Sequence, residues 1–177
     1  MSQPFYRYRH QTPEILDGGQ VRGCGSSRRK VTGCESEALT MDYRFATFSD
    51  CSQLAAMNHQ LIRDEGHRNP MTVAELEDRM RDWMAGEYRA VIFERNGRQV
   101  GYALYRDESE FVYLRQFFVC RDQRRQGIGR AAIDWLRANV WHGVARVRLE
   151  VLVGNASGIA FWRALGFRDY ALTMERD

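Results

Sequence analysis

One segment in the second half of the sequence constrains the fold most, because it changes from strand-like to helix-like across a short, arginine-rich turn. Residues 111–119 form a long, mostly apolar run that is typical of a buried strand. Helical spacing of apolar residues begins near Gly127 and continues to Val140, and residues 147–153 alternate apolar with charged side chains. This order predicts a right-handed crossover on one face of a mixed sheet, and hence an α/β layered domain.

The remaining patterns surround this unit with further strands and helices. Asn96-Gly97 lies between two strand-like runs and predicts a two-residue hairpin turn. Thr72 and Glu75 have the spacing of a capping box, which predicts the start of a helix. The predicted order is β-α-α-β-β-β-α-β-α-β, with strands over residues 43–48, 88–94, 99–105, 111–119, 147–153 and 170–175, and helices from Ser49 or Asp50, from Thr72, over 127–140 and over 155–165.

Composition excludes several classes of protein. With 177 residues, 44% hydrophobic and 28% charged, the sequence fits one globular domain. A net charge of +3 is too small to predict nucleic-acid binding. No apolar run is long enough to span a membrane and the start of the sequence does not resemble a secretory signal, so a cytoplasmic location is expected. The four cysteines form no C-x-x-C pair, and no metal site is expected.

The first 40 residues differ from the rest of the sequence. Residues 17–33 are rich in glycine, serine and charged side chains and show neither strand nor helix periodicity. Such a segment buries too little apolar surface to offset the entropy lost on ordering. We expect residues 1–40 to be a disordered leader or an upstream extension, and residues 41–177 to form a single domain.

The arginine-rich turn has the chemistry of a phosphate-binding site. The start of a helix exposes unpaired backbone N–H groups and the positive end of the helix dipole. Gly127 and Gly129 allow a ligand to approach the backbone closely. The alternative is a solvated basic turn with glycines that ease packing, but the strand-to-helix context favours a phosphate site. The cationic donors around the turn are Arg121, Arg124, Arg125 and Arg130.

Two motifs in this region resemble those of a known family. The segment RRQGIG at 124–129 resembles the Q/R-x-x-G-x-G/A acetyl-CoA signature of the GNAT superfamily, and N-x-x-x-x-AFWRALGF at 155–167 resembles the helix that follows in that family. The similarity covers residues 41–177. It implies a mixed, mostly antiparallel central sheet flanked by helices. It also implies an N-acetyltransferase that moves an acetyl group from acetyl-CoA to a primary amine by direct transfer in a ternary complex.

The resemblance assigns residues to coenzyme A as well. In the family, the strand before the signature separates from the next strand, and the pantetheine lies in the gap. The turn holds the pyrophosphate, and an N–H near Val119 polarises the thioester carbonyl. Asn155 is implied to contact the cofactor, with a plain helix N-cap as the alternative. The implied cofactor-binding residues are Phe117, Phe118, Val119, Arg124, Arg125, Gln126, Gly127, Ile128, Gly129, Arg130, Asn155 and Trp162.

An amine must lose its proton before it attacks, and the resemblance nominates a base for this step. Glu150 lies in an L-E-V segment that is similar to the ribosomal-type N-terminal acetyltransferases, in which the matching Glu is the base. A surface Glu paired with an arginine is the alternative. Glu110, at the mouth of the preceding strand, is the second candidate.

The sequence departs from the family at the position of the proton donor. The family's helix commonly supplies a tyrosine that protonates the leaving thiolate, and this sequence has Trp162 there. An indole N–H donates a hydrogen bond but no proton. The thiolate then leaves unaided, or Tyr113, Tyr170 or Cys120 supplies the proton. Gln116 also occupies a position where relatives often carry an acid.

The sequence leaves the acceptor open, because a small-molecule amine and a peptide or protein amine both fit the motifs. Asp64 and Glu65 are candidates to attract a cationic amine, with a solvated loop as the alternative. Tyr113 and Arg115 are expected to face the acceptor. A homodimer is the expected oligomeric state.

Two other functions compete with acetyl transfer. Trp162 and Gln116 are compatible with a non-enzymatic sensor that binds acyl-CoA. The spacing Gly127-x-Gly129-x-x-Ala132, with an acidic residue about 20 positions on, matches a loose dinucleotide-binding fingerprint and an oxidoreductase. The arginines between the strand and the glycines count against this second alternative.

Overall fold

The fold is one sheet with helices on both sides, and the computed structural model describes it over residues 41–176. The predicted leader, residues 1–40, lies outside the described residues. In this part of the chain the strands are β1 (Met41–Phe45), β2 (Arg89–Arg95), β3 (Arg98–Asp107), β4 (Val112–Val119) and β5 (Val147–Arg148). The helices are α1 (Cys51–Glu65), α2 (Val73–Ala85), α3 (Ile128–Asn139) and α4 (Ala156–Ala164), and short 3-10 turns cover Phe48–Asp50 and Arg121–Gln123.

The sheet is mixed, as predicted. Its strand order is β1-β2-β3-β4-β5, and neighbouring strands are antiparallel except β4 and β5, which are parallel. The predicted hairpin turn joins β2 to β3, with a φ of 52° at Asn96 and 70° at Gly97. Positive φ at both central residues is what a type I′ turn requires. The α/β fold class with a mostly antiparallel sheet is confirmed.

Local chemistry sets the end of α1 and the start of α2. Gly66 ends α1 with a φ of 68°, which glycine adopts without steric penalty. The hydroxyl of Thr72 accepts a hydrogen bond from the Glu75 N–H at 3.3 Å, and the Glu75 carboxylate accepts one from the Thr72 N–H at 2.7 Å. This is the predicted capping box.

The helices form a layer on each face of the sheet. On one face, α1 and α2 bury Leu54 and Met80 against Ile92. On the other face, α3 buries Ile133 against Phe93. No helix within residues 41–176 has the length and apolar character needed to cross a membrane.

A bulge in β4 changes the alternation of its side chains. The register with β3 shifts between Gln116 and Leu114, which leaves Arg115 without a partner residue. An extra residue of this kind reverses the alternation beyond it. Arg115 and Gln116 therefore both face the α1–α2 layer. The guanidinium of Arg115 lies over the ring of Trp83, and the amide of Gln116 bonds to Asn58.

Two predicted strands differ from the structure. The strand predicted over residues 147–153 is only two residues long, because no residue after Arg148 aligns with β4. Residues 170–175 form no strand, and their apolar side chains Tyr170, Leu172 and Met174 are exposed. A strand requires backbone hydrogen-bond partners, and no strand within residues 41–176 pairs with this segment.

Candidate functional site

The free edge of β4 is the first feature of the candidate site. β4 and β5 pair only through Val112↔Val147 and Tyr113↔Arg148. Over residues 114–119, the edge of β4 that faces away from β3 has no strand partner in the described part of the chain. Backbone groups along this edge are available to a ligand, except the carbonyl of Val119, which accepts a hydrogen bond from Arg124.

Backbone alternation shows which groups point toward this edge. The N–H of Cys120 donates to the carbonyl of Val100 on β3 at 2.8 Å. Because successive residues of an antiparallel strand point their backbone groups to opposite sides, the N–H groups of Phe117 and Val119 point away from β3. The family resemblance assigns the backbone of residues 117–119 to the cofactor, and the N–H of Phe118 points toward β3 instead.

The turn after β4 connects this edge to the start of α3. Gly127 is the N-cap of α3, and no side chain caps the helix. The N–H of Ala131 donates to the carbonyl of Gly127 at 3.0 Å, so the N–H groups of residues 128–130 precede the first intrahelical bond and lack a partner within the helix. Together with the positive end of the helix dipole, these donors are suited to an anion.

The two glycines of the turn are required for different reasons. Gly127 has a φ of 79°, and a Cβ added there meets no atom within 4 Å, so its backbone conformation favours glycine. A Cβ added at Gly129 would lie 3.0 Å from two ring carbons of Phe161. Gly129 therefore allows the ring of Phe161 on α4 to pack against the first turn of α3.

Two of the turn arginines bind Asp64, at the end of α1. The carboxylate of Asp64 accepts a hydrogen bond from Nε of Arg121 at 2.7 Å, and further hydrogen bonds from the guanidinium groups of Arg121 and Arg124. Nε of Arg124 donates to the carbonyl of Val119 at 2.8 Å. Burial opposes the effect, but these hydrogen bonds lower the pKa of Asp64. Asp64 thus links the turn to α1 through hydrogen bonds with two arginines. Its carboxylate is already paired, contrary to the expectation that it attracts an amine.

Some of the other residues of the turn contact neighbouring elements, and others are exposed to solvent. Ile128 is buried in the core beneath α3. Arg130 donates a hydrogen bond to the carbonyl of Ala164 at 3.0 Å, which ties α3 to α4. The side-chain carbonyl of Gln126 accepts a hydrogen bond from Arg95 at 2.6 Å. Arg125 is exposed, so its guanidinium is accessible to a ligand.

Asn155 caps the start of α4. Its side-chain oxygen accepts hydrogen bonds from the N–H of Gly158 at 2.9 Å and from the hydroxyl of Ser157 at 3.1 Å. The helix N-cap that the sequence offered as the alternative is therefore present. Contact between Asn155 and the cofactor stays a prediction.

An aromatic cluster closes the α3–α4 face of β4. The ring of Trp162 packs against Phe117, Phe161 and Phe167, with centroid distances of 5.3, 4.9 and 5.1 Å. Phe118 points to the opposite face and is buried against Tyr102. Trp162 thus lies beside the free edge through its contact with Phe117.

The structure brings Tyr113 and Glu150 together and places Glu110 elsewhere. Burial and the charge of Glu150 raise the pKa of Tyr113, so Tyr113 keeps its proton at neutral pH. Glu150 is exposed, two residues after the end of β5. Glu110 accepts a hydrogen bond from Arg146 at 2.9 Å, beside the paired end of β4 and β5. Glu110 is thus in an ion pair of its own.

Gln116 belongs to a buried polar network whose other two members, Tyr102 and Asn58, are not among the residues singled out in the sequence. The hydroxyl of Tyr102 donates to the side-chain oxygen of Gln116 at 3.0 Å, and the amide nitrogen of Gln116 donates to Asn58 at 2.9 Å. Asn58 is fully buried, and its amide nitrogen has no partner among the described residues. A signal existed, because Asn58 falls on the apolar face of α1 that Leu54 and Leu61 define.

A family profile and several known proteins match part of this chain. The profile described as Acetyltransferase (GNAT) family matches residues 54–167. Ribosomal protein bS18-alanine N-acetyltransferase of Escherichia coli (strain K12) is 35% identical over 75 residues, which is 42% of this chain and 51% of that protein. The protein of the same name from Shigella flexneri matches to the same extent. The chain spans about half the length of the curated relatives it matches.

Solved structures share the fold. A possible acetyltransferase from Clostridium difficile 630 has a TM-score of 0.65 at 15% identity, over 77% of this chain and 96% of that chain. An aminoglycoside N-acetyltransferase in complex with CoA has a TM-score of 0.63 at 17% identity, over 80% and 97% of the two chains. An acetyltransferase from Thermus thermophilus has a TM-score of 0.64 at 24% identity, over 73% and 88%. The mostly antiparallel sheet rules out a doubly wound dinucleotide-binding domain. The profile match covers more than half of the sequence, and the chain belongs to the GNAT acetyltransferase family.

Proposed function

We propose that this protein transfers an acetyl group from acetyl-CoA to a primary amine, with both substrates bound at once. The observation that carries the proposal is the pairing of β4 and β5, which ends after two residue pairs. The free edge of β4 then leads directly to the uncapped start of α3. A strand edge offers hydrogen bonds to amides, and an uncapped helix start offers them to phosphate.

The residues of the site fit coenzyme A. The backbone near Phe117 would pair with the amides of its pantetheine arm. The N–H groups of residues 125–130 and the exposed guanidinium of Arg125 would hold its pyrophosphate. Bound acetyl-CoA supplies the acetyl group as an activated thioester. The N–H of Val119, which points to the free edge, would stabilise the negative charge that develops on the thioester oxygen.

Glu150 is the proposed base. It is exposed and lies beside Tyr113, so that its carboxylate can accept a proton from an incoming ammonium group directly or through water. Glu110 is a weaker candidate, because its carboxylate is already paired with Arg146.

Tyr113 is the proposed proton donor for the leaving thiolate. Its raised pKa keeps the hydroxyl protonated, and it lies on β4 at the point where the gap from β5 opens. Trp162 cannot donate a proton, and its packing against Phe117 suits a role in shaping the cofactor gap.

The acceptor is proposed to be a primary amine of a small molecule or of a peptide. The bS18-alanine N-acetyltransferases, by their name, act on an alanine of a ribosomal protein, which supports a peptide amine and a cytoplasmic location. The expected homodimer stays a prediction, and sedimentation equilibrium tests it directly.

Thiol release from acetyl-CoA across a panel of amines tests the transferase function. We expect release with at least one amine, together with a mass increase of that amine by one acetyl group. Gly127→Asp is the matched inactive variant, because it places bulk and negative charge at the start of α3. Equal release by the wild type and Gly127→Asp would contradict the proposed site.

A non-enzymatic acyl-CoA sensor is the second candidate. The observation that favours it is Trp162, which occupies the family's proton-donor position in α4 without a transferable proton. Tight binding of coenzyme A without thiol release for any amine of the panel would establish the sensor in place of the transferase.

A further inference from the structure

Two guanidinium groups meet on one indole ring in the α1–α2 layer. Arg79 and Trp83 are four residues apart on α2, so they lie on the same side of the helix. The guanidinium carbon of Arg79 is 4.6 Å from the centroid of the Trp83 ring. Arg115 reaches the same ring from the bulge of β4, also at 4.6 Å.

Neither guanidinium group has an anionic partner among residues 41–176. Arg106, which lies over the ring of Tyr88 as Arg115 does, forms an ion pair with Glu108 at 2.7 Å. No carboxylate lies within 4.0 Å of Arg79 or Arg115 in the described part of the chain. Arg79 and Arg115 thus lack, within the described residues, the counter-charge that Arg106 possesses.

Arg79 also carries a donor without an acceptor. Its Nε is buried and has no hydrogen-bond partner among the described residues. Buried donors in folded proteins are almost always hydrogen-bonded, because an unpaired one is unfavourable. Burial and the nearby charge of Arg115 lower the pKa of Arg79. An oxyanion bound beside Arg79 would accept a hydrogen bond from the Nε donor, and its negative charge would offset the positive charges on both sides of the contact with Trp83.

This cationic pair lies on the α1–α2 side of β4. The opposite face is closed by the aromatic packing of Phe117 and Trp162. The charge of Arg115 also reaches Tyr113, the neighbour of Glu150. Arg115 and Glu150 thus both act on Tyr113, which places the cationic pair in the same region as the proposed base.

We propose that Arg79 and Arg115 bind an oxyanion on the acceptor, so that the acceptor is an amine that also carries a carboxylate or a phosphate group. The proposal rests on the transferase function above. Arginine suits this role because its planar fork can donate two hydrogen bonds to one carboxylate or phosphate.

Matched pairs of amines test the proposal. β-Alanine is compared with β-alaninamide for the carboxylate, and O-phosphoethanolamine with ethanolamine for the phosphate. We expect the anionic member of at least one pair to have a kcat/KM about tenfold or more above that of its neutral partner, as expected for charge-assisted hydrogen bonds. The pair that shows the preference identifies the anion. Equal rates within both pairs would overturn the proposal and leave the transferase function intact.

Variants separate this site from a general effect of charge. Arg79→Gln and Arg115→Gln should each remove the preference without changing the affinity for coenzyme A. Arg81→Gln is the control, because Arg81 is on α2 but is paired with Glu77 and exposed. A preference that survives both test variants, or is lost in the control alone, would refute the assignment.

A binding measurement gives an answer that does not depend on turnover. Titration of the wild type with inorganic phosphate, with coenzyme A present to occupy the cofactor site, is followed on the NMR signal of the Arg79 Nε–H. Its absence from Arg79→Gln identifies that signal. We expect it to shift in the wild type and in Arg81→Gln but not in Arg115→Gln. An unshifted signal in the wild type overturns the anion site. A shifted signal without thiol release for any amine leaves the anion site in place. That result overturns only the transferase function and the acceptor role that rests on it.

Discussion

A methyl group added at Gly129 tests how the turn is packed against α4. The added Cβ would lie 3.0 Å from Cε2 and Cζ of Phe161, whereas carbon atoms in favourable contact are about 3.5–4.0 Å apart. The ring of Phe161 must therefore move in Gly129→Ala. That ring is stacked on Phe117 at 5.9 Å and packs edge-on against Trp162 at 4.9 Å. We expect the displacement to reach Phe117 on the free edge of β4 and to weaken the binding of coenzyme A.

Two opposing contributions set the size of the effect on stability. Overpacking of a well-packed site costs about 1–3 kcal/mol, whereas alanine in place of glycine within a helix stabilises by about 1 kcal/mol. Gly129→Ala should therefore lower the free energy of unfolding by about 0–2 kcal/mol. Phe161→Leu removes the ring atoms that the new methyl group meets. In that background, Gly129→Ala should instead raise the free energy of unfolding, by about 1 kcal/mol at most.

Urea unfolding of the wild type, both single variants and the double variant measures the coupling between the two sites. Gly127→Ala is the control, because an added Cβ there meets no atom within 4 Å and its φ is 79°. Its cost of about 1–2 kcal/mol comes from the backbone alone and should not depend on Phe161→Leu. Additive effects of Gly129→Ala and Phe161→Leu would refute the packing argument.

Three further predictions concern charge. Gly127→Asp should abolish the binding of coenzyme A in calorimetry while the circular dichroism spectrum stays that of the wild type; retained affinity would place the cofactor elsewhere. Glu150→Gln should flatten the pH dependence of kcat and leave the affinity for coenzyme A unchanged. Glu110→Gln should change neither the pH dependence nor the affinity. An unchanged pH dependence of kcat in Glu150→Gln would remove Glu150 from the mechanism. Asp64→Asn should lower the free energy of unfolding at neutral pH by about 1–3 kcal/mol, because two arginines lose their shared carboxylate. The folded-state pKa of Asp64 is lowered, so this stabilisation is present above the unfolded-state pKa and is lost as the pH falls through the folded-state pKa. Urea unfolding should then show no difference between wild type and variant in strong acid, and a difference that persists there would contradict the ion pair as its cause.

Features set by neighbouring residues could be predicted from the sequence. Thr72 and Glu75 are three residues apart, and Asn96 and Gly97 are adjacent, so each pattern contains all the atoms that make its cap or its turn. The strand-to-helix change across the arginine-rich turn is of the same kind. The order of the elements up to α4 therefore matches the prediction.

Features set by contacts between distant segments could not be predicted in this way. Asp64 and Arg124 are 60 residues apart in sequence, and no spacing in either segment indicates that they pair. The same holds for Gly129, whose need for glycine arises from a ring on α4. The length of β5 depends on how many residues of β4 lie alongside it. The alternation within residues 147–153 contains no information about the position of β4.

The bulge of β4 makes the number of residues in this strand as important as their identity. With Arg115 as an extra residue, the strand carries Tyr113 and Phe118 on one layer and Leu114 and Phe117 on the other. Deletion of that one residue would restore the regular alternation of the strand. Every side chain on one side of the deletion would then move to the opposite face of the sheet. Either Tyr113 would leave the side where Glu150 lies, or Phe117 would leave the aromatic cluster. An insertion or deletion at this point therefore rearranges both halves of the candidate site at once, whereas a substitution there changes one side chain.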